Sequence, residues 1–257
     1  MPTDRFIDQT ADLRALGGRR VWSLMVSLFG DLALAEGDAI DGPVLSTIMG
    51  ALQVKPEAVR VALHRLRNDG WVTSTKSGRI SAHALTAKGR AESVAASPRI
   101  YARTPAADMP WQIIVVENAT LPVDEGFTPI CPRIYVGSGK LTPPQGALRF
   151  SGATAPDWLR AQAEPVHLRE DYTALHNALA GLKDTLPAPG ALSPIEIAAL
   201  RCLIVHNWRR LVLKHPALPA GLTKPDWPGQ RCHLLVDDLL HRFARPTIAA
   251  MDQQQAA

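Results

Sequence analysis

This sequence of 257 residues contains few cysteines, no long apolar run and only a small excess of positive charge. The three cysteines, Cys131, Cys202 and Cys232, lie far apart, which favours a reduced, cytoplasmic setting over a disulfide framework. The apolar run at residues 24–34 is short and contains Asp31, so we expect no membrane-spanning segment and no membrane partner. Acidic residues, rather than a cationic segment, open the chain, so we expect no secretory signal.

The sequence also lacks the usual motifs of catalytic sites. Gly137-Ser138-Gly139-Lys140 does not have the spacing of a phosphate-binding loop, and no G-x-S-x-G element is present. Cys202 and His206 share a predicted helix face, with Cys232 and His233 on the next helix, so together they could bind a metal or serve an enzyme. A buried cysteine beside a structural histidine is the commoner arrangement. We therefore expect no catalytic residue, no metal and no cofactor.

The composition indicates a globular protein whose positive charge is concentrated in one segment. Hydrophobic residues make up 46% and charged residues 20% of the chain, and its length allows two or three small domains. The net charge is only +4. Residues 55–90, however, contain eight Lys or Arg and two acidic residues. The location of the charge, and not its total, points to nucleic acid.

Residues 55–70 have the pattern of a DNA-recognition helix. Pro56 stands at the first helical position, where its missing N–H costs nothing, and Gly70 suits the left-handed position after the helix. Apolar residues recur with the period of one buried face, at Val59, Ala62, Leu63 and Leu66. The opposite side carries Arg60, His64 and Arg67, with Arg65 at its flank. A cationic helix face suits the major groove of DNA.

A basic hairpin follows this helix, with strands predicted at residues 71–73 and 80–85. The hairpin, the recognition helix and the two helices predicted at residues 19–36 and 43–52 together indicate a winged helix-turn-helix. We expect DNA contacts from Lys55, Arg60, His64 and Arg65 on the helix and from Lys76 and Arg79 on the wing. Arg65 could instead tie the helix to its own module. A winged module that makes only protein contacts is the alternative function.

The predicted fold class is α+β and mostly helical, with three domains. A winged-helix domain occupies residues 1–103 and includes a loose polar lead up to about residue 18. Residues 104–155 form a small β-rich domain with strands at 111–116, 130–136 and 147–150. Residues 156–257 form a helical domain with helices at 157–183, 193–214 and 229–251. Breaks are expected near Pro165 and Pro246.

Segments at both ends of the chain resemble the PaaX family, bacterial repressors of phenylacetate catabolism. The first is residues 21–31, which ends in Gly30-Asp31, and the second runs from Val59 through Asp69-Gly70-Trp71. The third contains Leu200-Arg201 and the more specific elements His206-x-Trp208-Arg209-Arg210 and Asp226-Trp227-Pro228-Gly229. The family's ferredoxin-like middle domain has a helix between its first two strands. Only twelve residues separate Val116 from Pro129 here, so that helix looks lost.

The resemblance implies a homodimeric repressor of an aromatic-acid catabolic operon. It would bind double-stranded operator DNA and be released by an aryl-CoA thioester such as phenylacetyl-CoA. A CoA thioester needs a basic patch beside an apolar slot. We place this effector site at His206, Trp208, Arg209, Arg210 and Trp227. An inter-domain or dimer salt bridge is the alternative role of Arg209 and Arg210.

Overall fold

The protein is mostly helical and contains two small antiparallel sheets. The structure, a computed structural model, describes residues 2–16, 20–78, 80–102, 110–118, 126–152, 155–214 and 218–256. The helices are α1 (Asp4–Gln9), α2 (Ala11–Leu16), α3 (Val21–Leu32), α4 (Gly42–Ala51), α5 (Pro56–Asn68), α6 (Ala87–Ile100), α7 (Asp157–Ala163), α8 (Val166–Thr185), α9 (Pro194–Val212), α10 (Pro228–Arg242) and α11 (Ile248–Ala256). The strands are β1 (Ile40–Asp41), β2 (Val72–Ser77), β3 (Ile80–Leu85), β4 (Trp111–Val115), β5 (Thr128–Cys131), β6 (Ile134–Ser138) and β7 (Leu148–Gly152). The predicted fold class is confirmed.

The region from α3 to β3, here called the winged module, has the order of elements expected of a winged helix-turn-helix. Along the chain α3 is followed by β1, α4, α5 and the β2–β3 hairpin, and the sheet order is β1-β3-β2. Val72 pairs with Leu85 and Ser77 pairs with Ile80, so the wing is a tight hairpin. Gly70, which follows the C-cap residue Asp69 of α5, adopts a left-handed φ of 71°, as the sequence predicted.

The winged module and the C-terminal helices share one continuous apolar core. Phe29 on α3 and Met49 on α4 belong to the same cluster as Ile204 on α9 and Phe243 after α10, and all four are fully buried. Helix α9 packs against both α3 and α4. The winged-helix domain and the C-terminal helical domain predicted from the sequence are therefore joined by a common core.

The prediction of a loose polar lead is wrong, because residues 4–16 form α1 and α2. Phe6 and Leu13 are buried in the shared core. The backbone N and Oγ1 of Thr3 both donate to Oε1 of Glu196 on α9, at 2.9 and 3.0 Å. The apolar residues of this segment are few, and their partners lie almost 200 positions further along the chain, so no local pattern reveals the packing.

The middle of the chain forms a four-stranded antiparallel sheet in the order β5-β6-β4-β7. Strands β4 and β7 lie where the sequence predicted strands. The strand predicted at residues 130–136 is instead a hairpin of β5 and β6, whose turn contains Arg133 with a φ of 69°. Residues 119–125, which include most of the segment between Val116 and Pro129 from which we expect the family helix to be lost, lie outside the described residues.

The C-terminal helices begin and end at residues with clear local signals. Pro165 separates α7 from α8, and Ser193 with Glu196 forms the predicted capping box at the start of α9. The helix predicted at residues 229–251 is divided, since α10 ends at Arg242 and α11 starts at Ile248, with Pro246 between them. Within the described part of the chain, no helix is both long and apolar enough to cross a membrane.

Candidate nucleic-acid interface

Helix α5 exposes one row of side chains on the side opposite its buried face. Val59, Ala62 and Leu66 are buried against the rest of the module. The Arg60 side chain is 75% exposed, and its guanidinium is 3.9 Å from the Glu57 carboxylate. An ion pair this exposed contributes little, so Arg60 is available to another partner.

Two further residues extend this exposed row along the helix. His64 lies one turn after Arg60 and is exposed, although its Nδ1 is 3.4 Å from Nδ2 of Asn68. Val61, next to Arg60, is 70% exposed. Side chains of these three kinds can read base edges in a major groove. A guanidinium and an imidazole can form hydrogen bonds there, and a branched apolar group can contact the thymine methyl.

Arg65 is held by its own module. Its guanidinium carbon lies 5.0 Å from the ring centroid of Trp22 on α3, and its Nε is 3.5 Å from the Asp69 carboxylate. The side chain remains 59% exposed. The intramolecular role that the sequence left open for Arg65 thus has a structural basis.

Several other cations of this segment also stabilise the module. Nζ of Lys88 donates to the carbonyl of Asp69 at 2.9 Å, and Nη1 of Arg90 donates to the carbonyl of Ala35 at 2.9 Å. Lys55, the residue before α5, and Lys76, near the tip of the wing, are exposed. Arg79 lies outside the described residues. Lys88 itself remains exposed, as does Arg67 on α5, so these contacts to the module leave most of the segment's positive charge at the surface.

Three of the five predicted effector residues contact the N-terminal helices. Nδ1 of His206 lies 3.3 Å from Oγ of Ser27 on α3, and Nη1 of Arg209 donates to the same Oγ at 3.2 Å. Nη1 of Arg210 donates to the carbonyl of Leu16 on α2 at 3.0 Å. These three side chains join α9 to the N-terminal helices, and they do not face a common opening.

The two tryptophans of the predicted effector site both pack against one tyrosine, Tyr172. Nε1 of Trp208 donates to the carbonyl of Ile100 at 2.9 Å. Trp208 and Trp227 both meet the Tyr172 ring edge-on, with centroids 6.2 and 5.3 Å away. Both tryptophans are buried. Their positions serve the packing of α6, α8, α9 and α10.

The cysteines and histidines considered for a metal site also point to separate partners. Sγ of Cys202 donates to the carbonyl of Leu24 at 3.5 Å, and Sγ of Cys232 donates to the carbonyl of Tyr172 at 3.0 Å. Nε2 of His233 contacts the carbonyl of Ala102. The described residues contain no group of three or more His, Cys, Asp or Glu placed to hold a metal ion.

A buried ion pair that was not predicted from the sequence joins the winged module to α9. Asp31, near the end of α3, is fully buried and binds the guanidinium of Arg201. Both residues belong to segments that carry the family resemblance. A carboxylate within an apolar helix and an arginine within another apolar helix were the signals that could have suggested the pair.

Comparison with known proteins matches both ends of the chain to one family. Residues 20–89 match the family model described as PaaX-like protein, and residues 165–252 match the model described as PaaX-like protein C-terminal domain. The chain is 27% identical over 281 residues to the "Transcriptional repressor PaaX" of Escherichia coli (strain K12), with 98% of this chain and 88% of that protein covered.

A solved structure has a similar fold. It is the "Uncharacterized protein Rv0674 from Mycobacterium tuberculosis", with a TM-score of 0.51 and 18% sequence identity. The similarity covers 94% of this chain and 98% of that one. At this level of identity, the comparison shows a shared fold and nothing about function.

Proposed function

The chain belongs to the PaaX-like protein family, and from this we propose that it is a transcriptional repressor, not an enzyme, that binds operator DNA. The single observation that supports the DNA-binding role best is the exposed row of Arg60, Val61 and His64 on α5, next to a wing that carries Lys76. The relative in Escherichia coli is named as a transcriptional repressor.

In the proposed complex, α5 lies in the major groove and the wing follows the adjacent backbone. The Arg60 guanidinium has the geometry to donate two hydrogen bonds to O6 and N7 of a guanine. Lys55 and Lys76 would contact phosphates, which raises affinity without reading sequence. Arg65 would contribute mainly by holding α5 against Trp22.

The family resemblance supports three further parts of the proposal. The repressor would be a homodimer whose two α5 helices enter successive major grooves, about 34 Å apart. It would control an aromatic-acid catabolic operon, and an aryl-CoA thioester such as phenylacetyl-CoA would release it. Of the five residues first assigned to the effector, His206 and Arg209 remain candidates for contacts with it, but they line two separate cavities, of about 430 and about 30 Å3. Trp208, Arg210 and Trp227 we assign to helix packing.

Fluorescence anisotropy tests the DNA face. DNA from upstream of the protein's own gene and random DNA are titrated over a salt series with the parent, Arg60→Ala, Lys76→Ala and the control Lys140→Ala, an exposed cation of the middle sheet. Arg60→Ala should cost about 1–3 kcal/mol on the operator if the side chain reads a base. Lys76→Ala should weaken binding to every sequence and flatten the salt slope by about one. Lys140→Ala should bind like the parent.

Each part of the proposal has an outcome that contradicts it. If Arg60→Ala and Lys76→Ala both bind operator DNA like the parent at moderate salt, the proposed face is wrong. Equal affinity of the parent for upstream and random DNA would favour the protein-contact function. A panel of aryl-CoA thioesters added to the preformed complex tests release, and indifference to the whole panel removes this class of effector.

A further inference from the structure

A cavity of about 430 Å3 lies between α2, α3, α9 and the turn that connects α4 to α5. Most of its wall is apolar and is formed by Leu13, Val21, Leu24, Leu52, Val54 and Leu203. Ligand sites typically have volumes of about 300–1,000 Å3, mostly apolar walls and a few polar groups. The size and lining of this cavity are therefore those of a small-molecule site.

Two residues of α9 that line the cavity each have a buried polar atom with no hydrogen-bond partner within the described residues. These atoms are Nε2 of His206 and Oδ1 of Asn207, and their residues are 2% and 3% exposed. Nδ2 of Asn207 donates to the carbonyls of Leu13 and Leu203 at 2.9 and 3.0 Å, which fixes the amide so that Oδ1 is the free acceptor. Leaving a buried polar atom without a partner is destabilising, so an occupant that supplies the missing hydrogen bond would be favoured.

The imidazole of His206 also presents an acceptor. Burial, together with the charges of Arg210 and Arg209, lowers the pKa of His206 to about 4, so the ring is neutral at neutral pH. Its Nδ1 faces Ser27 on α3, which leaves Nε2 as the unpartnered nitrogen. When Nδ1 carries the proton, Nε2 accepts a hydrogen bond. His206 and Asn207 together therefore favour an occupant that donates.

The cavity reaches the turn that sets the direction of α5. Gln53, Val54 and Lys55 form part of its lining, together with Ala58 in the first turns of α5. Gln53 adopts a φ of 59°, a left-handed conformation that is uncommon for a residue other than glycine. An occupant would thus contact the strained connection between the two helices of the helix-turn-helix.

We propose that this cavity binds a compact apolar molecule with at least one O–H or N–H donor, and that its binding shifts the position of α5. Benzene fits an engineered cavity of about 150 Å3, so this cavity has room for a substituted ring or a branched chain of similar size. The donor would pair with Asn207 or His206. Arg14 also lines the cavity, so an acidic substituent has a cation nearby.

The effect on DNA, unlike the binding itself, rests on the proposed repressor function. A ligand shifts a conformational equilibrium only by the difference in its affinity for the two states. An occupant that packs best against one arrangement of Gln53 and Val54 favours the corresponding angle of α5. The affinity for operator DNA would then change, although the ligand touches none of the residues that contact DNA.

Matched probes test the binding on the full-length protein. Saturation-transfer NMR titrations compare 4-methylphenol, which has a donor, with 4-methylanisole, which has nearly the same shape and no donor. We expect saturable binding of the phenol and at least fivefold weaker binding of the ether. Ala58→Met fills the cavity and should abolish binding of the phenol. Ala91→Met, the same change at an exposed position of α6, should leave it unaltered.

Several results would overturn the ligand site: no saturable binding of the phenol, equal binding of both probes, or unaltered binding to Ala58→Met. Circular dichroism checks that Ala58→Met folds, and Ala58→Leu replaces it if it does not. Anisotropy on operator DNA with the phenol at saturation then tests the coupling, which an unchanged affinity would refute. Failure of the ligand-free protein to bind DNA would refute the repressor function and leave the NMR result standing.

Discussion

The guanidinium of Arg201 binds the carboxylate of Asp31 through two parallel hydrogen bonds, from Nε to Oδ2 at 2.8 Å and from Nη2 to Oδ1 at 2.9 Å. The hydroxyl of Tyr101, directly after α6, donates to Oδ1 at 2.8 Å. Burial would raise the pKa of Asp31, but the hydrogen bonds and charge of Arg201, with Arg245, hold it below its usual range. One buried carboxylate therefore joins α3, α6 and α9, and links the winged module to the C-terminal helices.

We predict that Arg201→Ala destabilises the protein by about 3–5 kcal/mol. The substitution leaves the Asp31 carboxylate buried without its main partner, and breaking a buried pair costs about this much. The double variant Asp31→Leu with Arg201→Met should recover most of the loss, because neither charge then remains buried. Urea unfolding measures both, with the exposed Arg231→Ala as the control. A loss below about 1 kcal/mol for Arg201→Ala would contradict this role of the pair.

Elements with local signals could be predicted from the sequence. Helix α5 and the wing follow from the period of apolar residues, Pro56 at the first helical position and the left-handed Gly70. The start of α9 follows from the capping box of Ser193 and Glu196. Each of these signals lies within a few residues of the structure it specifies, so one sequence is sufficient.

Contacts between distant segments could not be predicted in the same way. Asp31 and Arg201 are 170 positions apart, and neither residue shows in the sequence that the other is its partner. The contact between Thr3, just before α1, and Glu196 on α9 could not be predicted for the same reason, because the two residues are far apart in the sequence. The effector prediction placed polar and aromatic residues of α9 in one site because they are neighbours in sequence. On a helix, however, residues two positions apart, such as His206 and Trp208, point to nearly opposite sides.

We predict that the stability of the protein falls as the pH decreases from about 6.5 to 4. Burial first, and the charges of Arg210 and Arg209 second, lower the pKa of His206 to about 4, whereas an unfolded histidine titrates near 6.5. Between these values the unfolded chain takes up a proton that the folded state excludes, which favours unfolding. The contribution is on the order of 3 kcal/mol when the pH reaches the lower value.

Urea unfolding at several pH values between 8 and 4 checks this dependence. His206→Leu removes the titrating group and should give a flatter profile than the parent across this range. The comparison uses the difference between each protein's stability at pH 8 and at the lower pH. The loss of packing in the variant then cancels from the comparison. Parallel profiles for the two proteins would refute the assignment to His206.

We predict that Arg65→Ala mainly lowers stability, whereas Arg60→Ala mainly lowers the affinity for DNA. Arg65 stacks on Trp22, so its loss should lower stability by about 0.5–1 kcal/mol and reduce operator affinity only modestly. Arg60 is exposed with only a weak contact to Glu57, so its loss should leave stability within about 0.5 kcal/mol and mainly affect DNA binding. Urea unfolding and operator titration on the same samples separate the two. Equal losses of affinity would assign Arg65 to the DNA face.

We predict that alanine is unfavourable at Gly89 and favourable at Gly50. A Cβ on Gly89 would lie 2.3 Å from the carbonyl oxygen of Trp71, too close for any ordinary contact. This close approach lets α6 pack at the base of the wing, where Oγ1 of Thr86 accepts from Gly89 N at 3.1 Å and donates to the Gly70 carbonyl at 2.6 Å. The backbone must therefore shift, and we expect a loss of about 1–3 kcal/mol.

Gly50 is the matched control, because it lies in α4 with nothing within 4 Å of an added Cβ. Gly50→Ala should stabilise the protein by up to about 1 kcal/mol, since alanine loses less backbone entropy in a helix. Urea unfolding compares both variants with the parent. Because the shift at Gly89 displaces the wing that carries Lys76, Gly89→Ala should also weaken binding to operator and random DNA alike. Unchanged DNA affinity in a destabilised Gly89→Ala would mean that the wing contributes nothing to the complex.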